Sequence, residues 1–146
     1  MLDNHHRGCW VLLVAPLLMS GGCARSGVSL HPVAGQVLLG NRPVAEAKVV
    51  FHPLEGQLPN GQRPQAYTDE QGRFSLMTVK PGDGAPEGEY AITVELRELV
   101  RVGEEVIRDA RNLLPEIYSR PDTSKLRYRV VTGNNEPPAF VLTNTR

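Results

Sequence analysis

The stretch "YAITVELR", Tyr90–Arg97, decides how this chain folds. Tyr90, Ile92, Val94 and Leu96 take every second position, with Ala91, Thr93, Glu95 and Arg97 between them. Side chains of a strand point alternately to opposite faces, so an apolar set of period two marks a half-buried strand. A helix would space its apolar residues by three and four.

The same period runs through the rest of the body. Val33, Val37 and Leu39 share one face of an early run, and Ala47, Val49 and Phe51 share a face of "AKVVFH", with Lys48 and His52 opposite. Phe74 and Leu76 repeat it. Leu126, Tyr128 and Val130 alternate with Arg127 and Arg129, and Phe140 and Leu142 flank Val141. Between the runs lie turn residues, as in "GNRP" (Gly40–Pro43) and "PGDGAPEG" (Pro81–Gly88), which break either kind of element. About seven short antiparallel strands, each with one apolar face, are best buried as two packed sheets. The expected fold is therefore all-β, a β-sandwich of immunoglobulin-like or transthyretin-like kind, with a small closed barrel as the alternative.

"AYTDEQGRFSL", Ala66–Leu76, tests that reading. Asp69 and Gly72 stand where a type I turn favours Asp first and a left-handed Gly fourth. A calcium loop begun at Asp69 would need an oxygen ligand at its fifth position and glycine at its sixth. Arg73 and Phe74 stand there. The motif is a hairpin tip. Calcium held by several loops, with Asp83 or Asp122, is the remaining route to a cation.

The chain has 146 residues, one domain's worth, with 16 basic and 16 acidic side chains. One Asp and one Arg fall before Cys23, so the balance from Cys23 onward stays even, 15 against 15. No basic excess points to nucleic acid, and no acidic run points to a disordered tail.

The first 23 residues, "MLDNHHRGCWVLLVAPLLMSGGC", are an address. A weakly positive start at Arg7 precedes an apolar run from Trp10 to Met19, then small residues before Cys23. This is the layout of an export signal. The run falls short of the roughly 20 apolar residues that span a bilayer. The small residues leading to Cys23 resemble the lipobox of bacterial lipoproteins, in which the cysteine carries a diacylglyceryl group and the chain is cut before it. Ser20 stands where that family prefers Leu, which keeps ordinary secretion with cleavage near Ala24 open. With Cys9 in the discarded signal, Cys23 is the only thiol of the mature chain and has no internal disulfide partner. Acylation would explain it. The expected organisation is a lipoprotein signal peptide over 1–22, lipidated Cys23 and tether over 23–31, and the sandwich over 32–146.

The body as a whole resembles a known group. "VAGQVLLGNRPVAEAKVVFHP", "TDEQGRFSL", "PGDGAPEGEYAITV" and "LLPEIYSRPDTSKLRYRVVTGNN", in that order, look like the carboxypeptidase regulatory-like, transthyretin-like domain found in small planctomycete lipoproteins. The resemblance covers about residues 30–143. It implies a sandwich, an envelope location with palmitate-type acyl chains on Cys23, and no catalysis.

No catalytic constellation stands out. His52-Pro53-Leu54-Glu55 has the His-x-x-Glu spacing of zinc carboxypeptidases, but a catalytic zinc takes three protein ligands and no histidine follows His52. No HExxH, P-loop, nucleophile elbow or dinucleotide fingerprint is present. Glu104-Glu105 reads as a solvated loop, and Lys125, Arg127 and Arg129 as an outward basic stripe open to a glycan or anionic polymer. Glu98–Ser124 is longer than a connection needs. Leu113, Leu114, Ile117 and Tyr118 should pin part of it, with a helical turn after Pro115; it is either a partner's contact surface or the cover of a sheet edge.

The resulting expectation is a non-enzymatic, cofactor-free, lipid-anchored β-sandwich of the cell envelope, held to the membrane through Cys23, acting as a structural or binding module for an envelope protein or glycan. An accessory subunit of an exported hydrolase or transport assembly is the alternative.

Overall fold

A computed structural model describes residues 27–56, 58 and 61–144, with backbone alone for 108–110. The apolar run from Trp10 to Met19 and Cys23 lie outside the described residues.

The fold is all-β. Among the described residues there are ten strands: β1 Ala34–Leu39, β2 Arg42–Pro43, β3 Lys48–Pro53, β4 Gln65–Tyr67, β5 Arg73–Ser75, β6 Gly88–Glu95, β7 Arg97–Val102, β8 Glu105–Asn112, β9 Arg127–Val130 and β10 Phe140–Leu142. Two four-stranded sheets form the sandwich. In one, β1 lies between β10 on one flank and both β2 and β5 on the other; the second runs β4-β3-β6-β9. β7 and β8 make a separate two-stranded ribbon.

Period-two burial forms the core. Val37 and Leu142 of the first sheet, Leu76 just after β5, and Val49, Phe51, Ile92 and Val94 of the second sheet are all 0 % exposed. Phe51 sits at the centre, with ring centroids 5.7 Å from Tyr90 and 6.3 Å from both Phe74 and Phe140. Tilted ring contacts of this kind add to the burial of apolar area.

Two expectations change. There are more than about seven strands, because much of the stretch read as one long excursion pairs with itself as β7 and β8, and because the short β2 and β4 flank the runs that alternation marks. The strands are also not all antiparallel: β10 pairs in parallel with β1, Val37 opposite Phe140 and Leu39 opposite Leu142. Alternation reports which face a residue takes, not the direction of its neighbour, so this pairing leaves no trace in the pattern.

The Asp69–Gly72 turn forms as read. Gly72 N–H donates to the Asp69 carbonyl at 2.9 Å with φ at +69°, and Asp69 Oδ1 accepts from the N–H groups of Gln71 and Arg73 at 2.9 and 2.8 Å. A side chain at Gly72 would collide with the Val37 carbonyl oxygen. The strands it joins take their main partners in opposite sheets, β4 with β3 and β5 with β1, and still close on each other as a hairpin, with Asp69 N–H donating to the Arg73 carbonyl at 2.8 Å and Gln65 and Met77 exchanging backbone hydrogen bonds at 2.9 Å. The tip is a corner of the sandwich.

The long excursion divides in two. β6 outruns β9, whose pairing ends at Ala91 opposite Arg127. Beyond that point Ile92 N–H donates to the Leu126 carbonyl at 3.0 Å, and the Ile92 carbonyl accepts from Ser124 Oγ at 2.5 Å. Leu96 N–H donates to Asn112 Oδ1 at 2.9 Å and its carbonyl accepts from Leu113 N–H at 2.7 Å. Residues 112–126 therefore cover the open half of the β6 edge, and a 3₁₀ turn at Glu116–Tyr118 follows Pro115 as expected. Leu114 and Tyr118 pin it; Leu113 and Ile117 are exposed. The ribbon, by contrast, leaves Leu99, Val102, Val106 and Ile107 open to solvent. His31 pairs with Ala85 just ahead of β6, while the ribbon departs from the far end of that strand. The N-terminal lead and the ribbon lie at opposite ends of the molecule.

Candidate functional site

With Val49 and Phe51, Tyr90, Ile92 and Val94, and Val130 turned inward, the alternate residues of the second sheet must face out. Register aligns them in rows. Tyr67 of β4, Lys48 of β3 and Glu95 of β6 form one; Gln65, Val50 and Thr93 the next. His52, Ala91 and Arg127 follow, then Glu89 opposite Arg129 of β9.

Gly61 and Arg63, just ahead of β4, border this face and a trough of about 310 Å³ on it. Lys48, His52, Gln65, Thr93 and Glu95 lie within it, with Arg63 and Ser119 on its rims. It opens on one side to a hollow of about 320 Å³ under the β3–β4 loop, bounded by His52, Pro53, Leu58 and Arg63. On the other side it reaches a smaller depression where Tyr67, Lys48, Glu95 and Arg97 meet. A fourth hollow, on the same face, is lined by Leu54, Glu89, Arg127 and Arg129.

The chemistry is that of neutral donors and acceptors among cations. His52 Nε2 lies 2.9 Å from Thr93 Oγ1. Burial, and then the nearby Arg63 guanidinium, lower the His52 pKa from its ordinary value, with Glu95 acting weakly the other way. His52 is therefore a neutral hydrogen-bonding group at pH 7. Both carboxylates on these rows are engaged: Glu95 Oε2 sits 3.0 Å from Arg97 Nε, and Glu89 Oε1 sits 3.6 Å from Arg129. Arg127 donates to the carbonyls of Leu126 and Pro121 at 2.8 and 3.2 Å.

Some residues singled out in the sequence fall elsewhere. Asp83 holds its own loop, its carboxylate accepting from the N–H groups of Thr78, Val79 and Lys80 at 2.7, 2.9 and 2.7 Å. Burial pushes the Asp83 pKa up, but these backbone donors outweigh it and hold the group below its usual value. Asp122 lies 3.3 Å from Arg120. Among the described residues no group of three or more His, Cys, Asp or Glu could hold a metal ion. Arg127 and Arg129 do share a face, as the stripe required, and it is the face that carries the trough. Lys125 precedes the strand with φ at +54°.

The trough itself is not legible in the sequence. Its residues lie in four separate segments, each unremarkable alone. The available signal is that every outward position of three apolar strands is polar except Val50 and Ala91.

The chain matches no protein-family model and no curated protein. Two solved structures resemble it in part. One is a 9R-lipoxygenase from Cyanothece PCC8801, with 17% identity and a TM-score of 0.43 over 79% of this chain. This chain spans 16% of that much longer one. The other, from Pseudomonas aeruginosa, is described as a "putative carbohydrate binding protein", with 19% identity, a TM-score of 0.40, and coverage of 80% of this chain and 89% of that one.

Proposed function

We propose that this chain is a non-catalytic, lipid-anchored binding module of the bacterial cell envelope, and that it binds a glycan along the outer face of β4, β3 and β6. The observation that carries the reading is the alignment of Tyr67, Lys48, Gln65, His52, Thr93 and Glu95 on one shallow, open trough. A linear sugar chain offers alternating hydroxyls and apolar ring faces. The trough offers donors and acceptors at strand spacing, and Tyr67, half exposed, offers a flat apolar surface with a polar end.

Binding without turnover is supported by the carboxylates. Hydrolysis of a glycosidic bond calls for two acidic groups across the scissile bond. Glu95 is the one carboxylate lining the trough among the described residues, and Arg97 holds it. The anchor belongs to the same proposal: two or more acyl chains on Cys23 would fasten the module durably. The resemblance to carboxypeptidase regulatory-like domains agrees with both.

The test is affinity electrophoresis of the full chain, in detergent, through gels containing envelope polysaccharide. Retardation that Tyr67→Ala and Gln65→Ala reduce is the expected result; migration unchanged by every envelope polymer tried would end the proposal. The apolar ribbon favours a second reading, in which the module supports an exported assembly by gripping a protein. A stoichiometric protein partner lost when the ribbon is trimmed would support it.

A further inference from the structure

We infer that the ligand of this face is an acidic polysaccharide, a chain bearing uronic-acid carboxylates, held by Lys48, Arg63 and Arg127. The inference rests on the reading of the face as a glycan site and specifies the ligand's charge.

The protein is electrically neutral as a whole, but its charges are not evenly spread. The outer rows and the rim of the second sheet carry five cations, Lys48, Arg63, Arg97, Arg127 and Arg129, against two carboxylates, Glu89 and Glu95. Each carboxylate has its own partner in Arg129 or Arg97. No ion pair with a carboxylate involves Lys48, Arg63 or Arg127 among the described residues. Lys48, Arg63 and Arg127 thus stand on this face against one further carboxylate behind its rim, Glu116, which accepts from the Ser119 hydroxyl at 2.8 Å, and an excess of two positive charges remains.

Their placement fits an extended polyanion better than a single ion. Lys48 and His52 are four residues apart on β3, about 13 Å at strand rise, and Arg63 stands beside His52. Arg127 lies two strands over from His52, about 10 Å across the sheet. One compact anion cannot touch all three. A sugar chain with an acid group on successive rings can cross the trough and meet each in turn. Guanidinium groups suit planar carboxylates, which they bind in bidentate fashion. Nucleic acid and lipid headgroups share the negative charge. The face, however, offers bases one exposed aromatic ring, Tyr67, among the described residues, and it runs along β6 rather than across the end where the N-terminal lead emerges.

Biolayer interferometry with the full chain in detergent decides the matter. The surfaces are polygalacturonate, its fully methyl-esterified and hence neutral form, a DNA duplex, and immobilised glycerophosphoglycerol, the phosphatidylglycerol headgroup without its acyl chains. The expected result is affinity for the acid polymer about tenfold or more above that for the ester, weakening as salt rises. Lys48→Gln and Arg63→Gln should each lower acid-form affinity several-fold, roughly the value of one exposed charge-assisted contact, and lower affinity for the ester by clearly less, so that the acid-to-ester ratio falls. Both sites are solvent-accessible, and an unchanged melting temperature confirms the variants fold. Equal affinity for acid and ester overturns the inference and leaves the glycan reading standing; binding to neither polymer overturns both. Acid binding that survives the double variant removes the assigned residues. Tighter capture by the duplex or by the headgroup reassigns the face and overturns the inference as well.

Discussion

Gly84 is a single position on which a whole loop closes. Its φ is +85°, and a side chain there would run into the His31 carbonyl, where His31 and Ala85 pair. Gly84→Ala should therefore cost about 3 kcal/mol or more, read as a large drop in melting temperature or as insoluble protein. Tyr90 makes a different prediction. Burial pushes its pKa up to about 12, and its hydroxyl donates to the Pro86 carbonyl at 2.9 Å. The folded chain thus keeps this proton more firmly than the unfolded chain, whose tyrosine titrates near 10. The stabilisation is complete below about pH 10 and is lost as pH rises towards about 12. Chemical denaturation across that range should show Tyr90→Phe losing less stability with pH than the parent.

At the level of elements, the two halves of the excursion should respond in opposite ways. The Ser124 hydroxyl satisfies the Ile92 carbonyl on the covered edge of β6, so Ser124→Ala should destabilise by about 1–3 kcal/mol, the cost of an unmet buried group. The ribbon contributes almost nothing to the core. Replacing residues 99–107 with Asn-Gly should change stability by less than about 0.5 kcal/mol, as measured by thermal unfolding. In the sequence, 98–124 reads as one object, because length and a few apolar residues cannot distinguish a strand that continues outward from a segment that folds back. What can be read is local. Alternation alone assigns Lys48, His52, Thr93, Glu95, Arg127 and Arg129 to the face away from the core, and turn chemistry assigns Asp69–Gly72 to a tip. Register cannot be read: nothing in "AKVVFH" or "YAITVELR" states that Lys48 faces Glu95 or that His52 reaches Thr93. A trough assembled from cross-strand neighbours stays invisible until pairing is known. The parting of β4 and β5 into opposite sheets is hidden for the same reason.

For the molecule as a whole, the anchor is the sharpest test. Cys23→Ala should move the chain from the membrane fraction to the soluble fraction on cell fractionation, and retention in the membrane would end the lipid proposal. The parallel seam between β1 and β10 has a consequence in time rather than in space. Asn135 reaches back to the Pro32 carbonyl across 103 residues, and β10 follows it to complete the first sheet. A chain emerging from the ribosome has made β1 long before it owns the strand that must lie beside it. Such distant pairings are slow to find, because the intervening loop must close first. The nascent protein therefore spends its synthesis without a finished sheet, and stopping translation before Phe140 would leave it so.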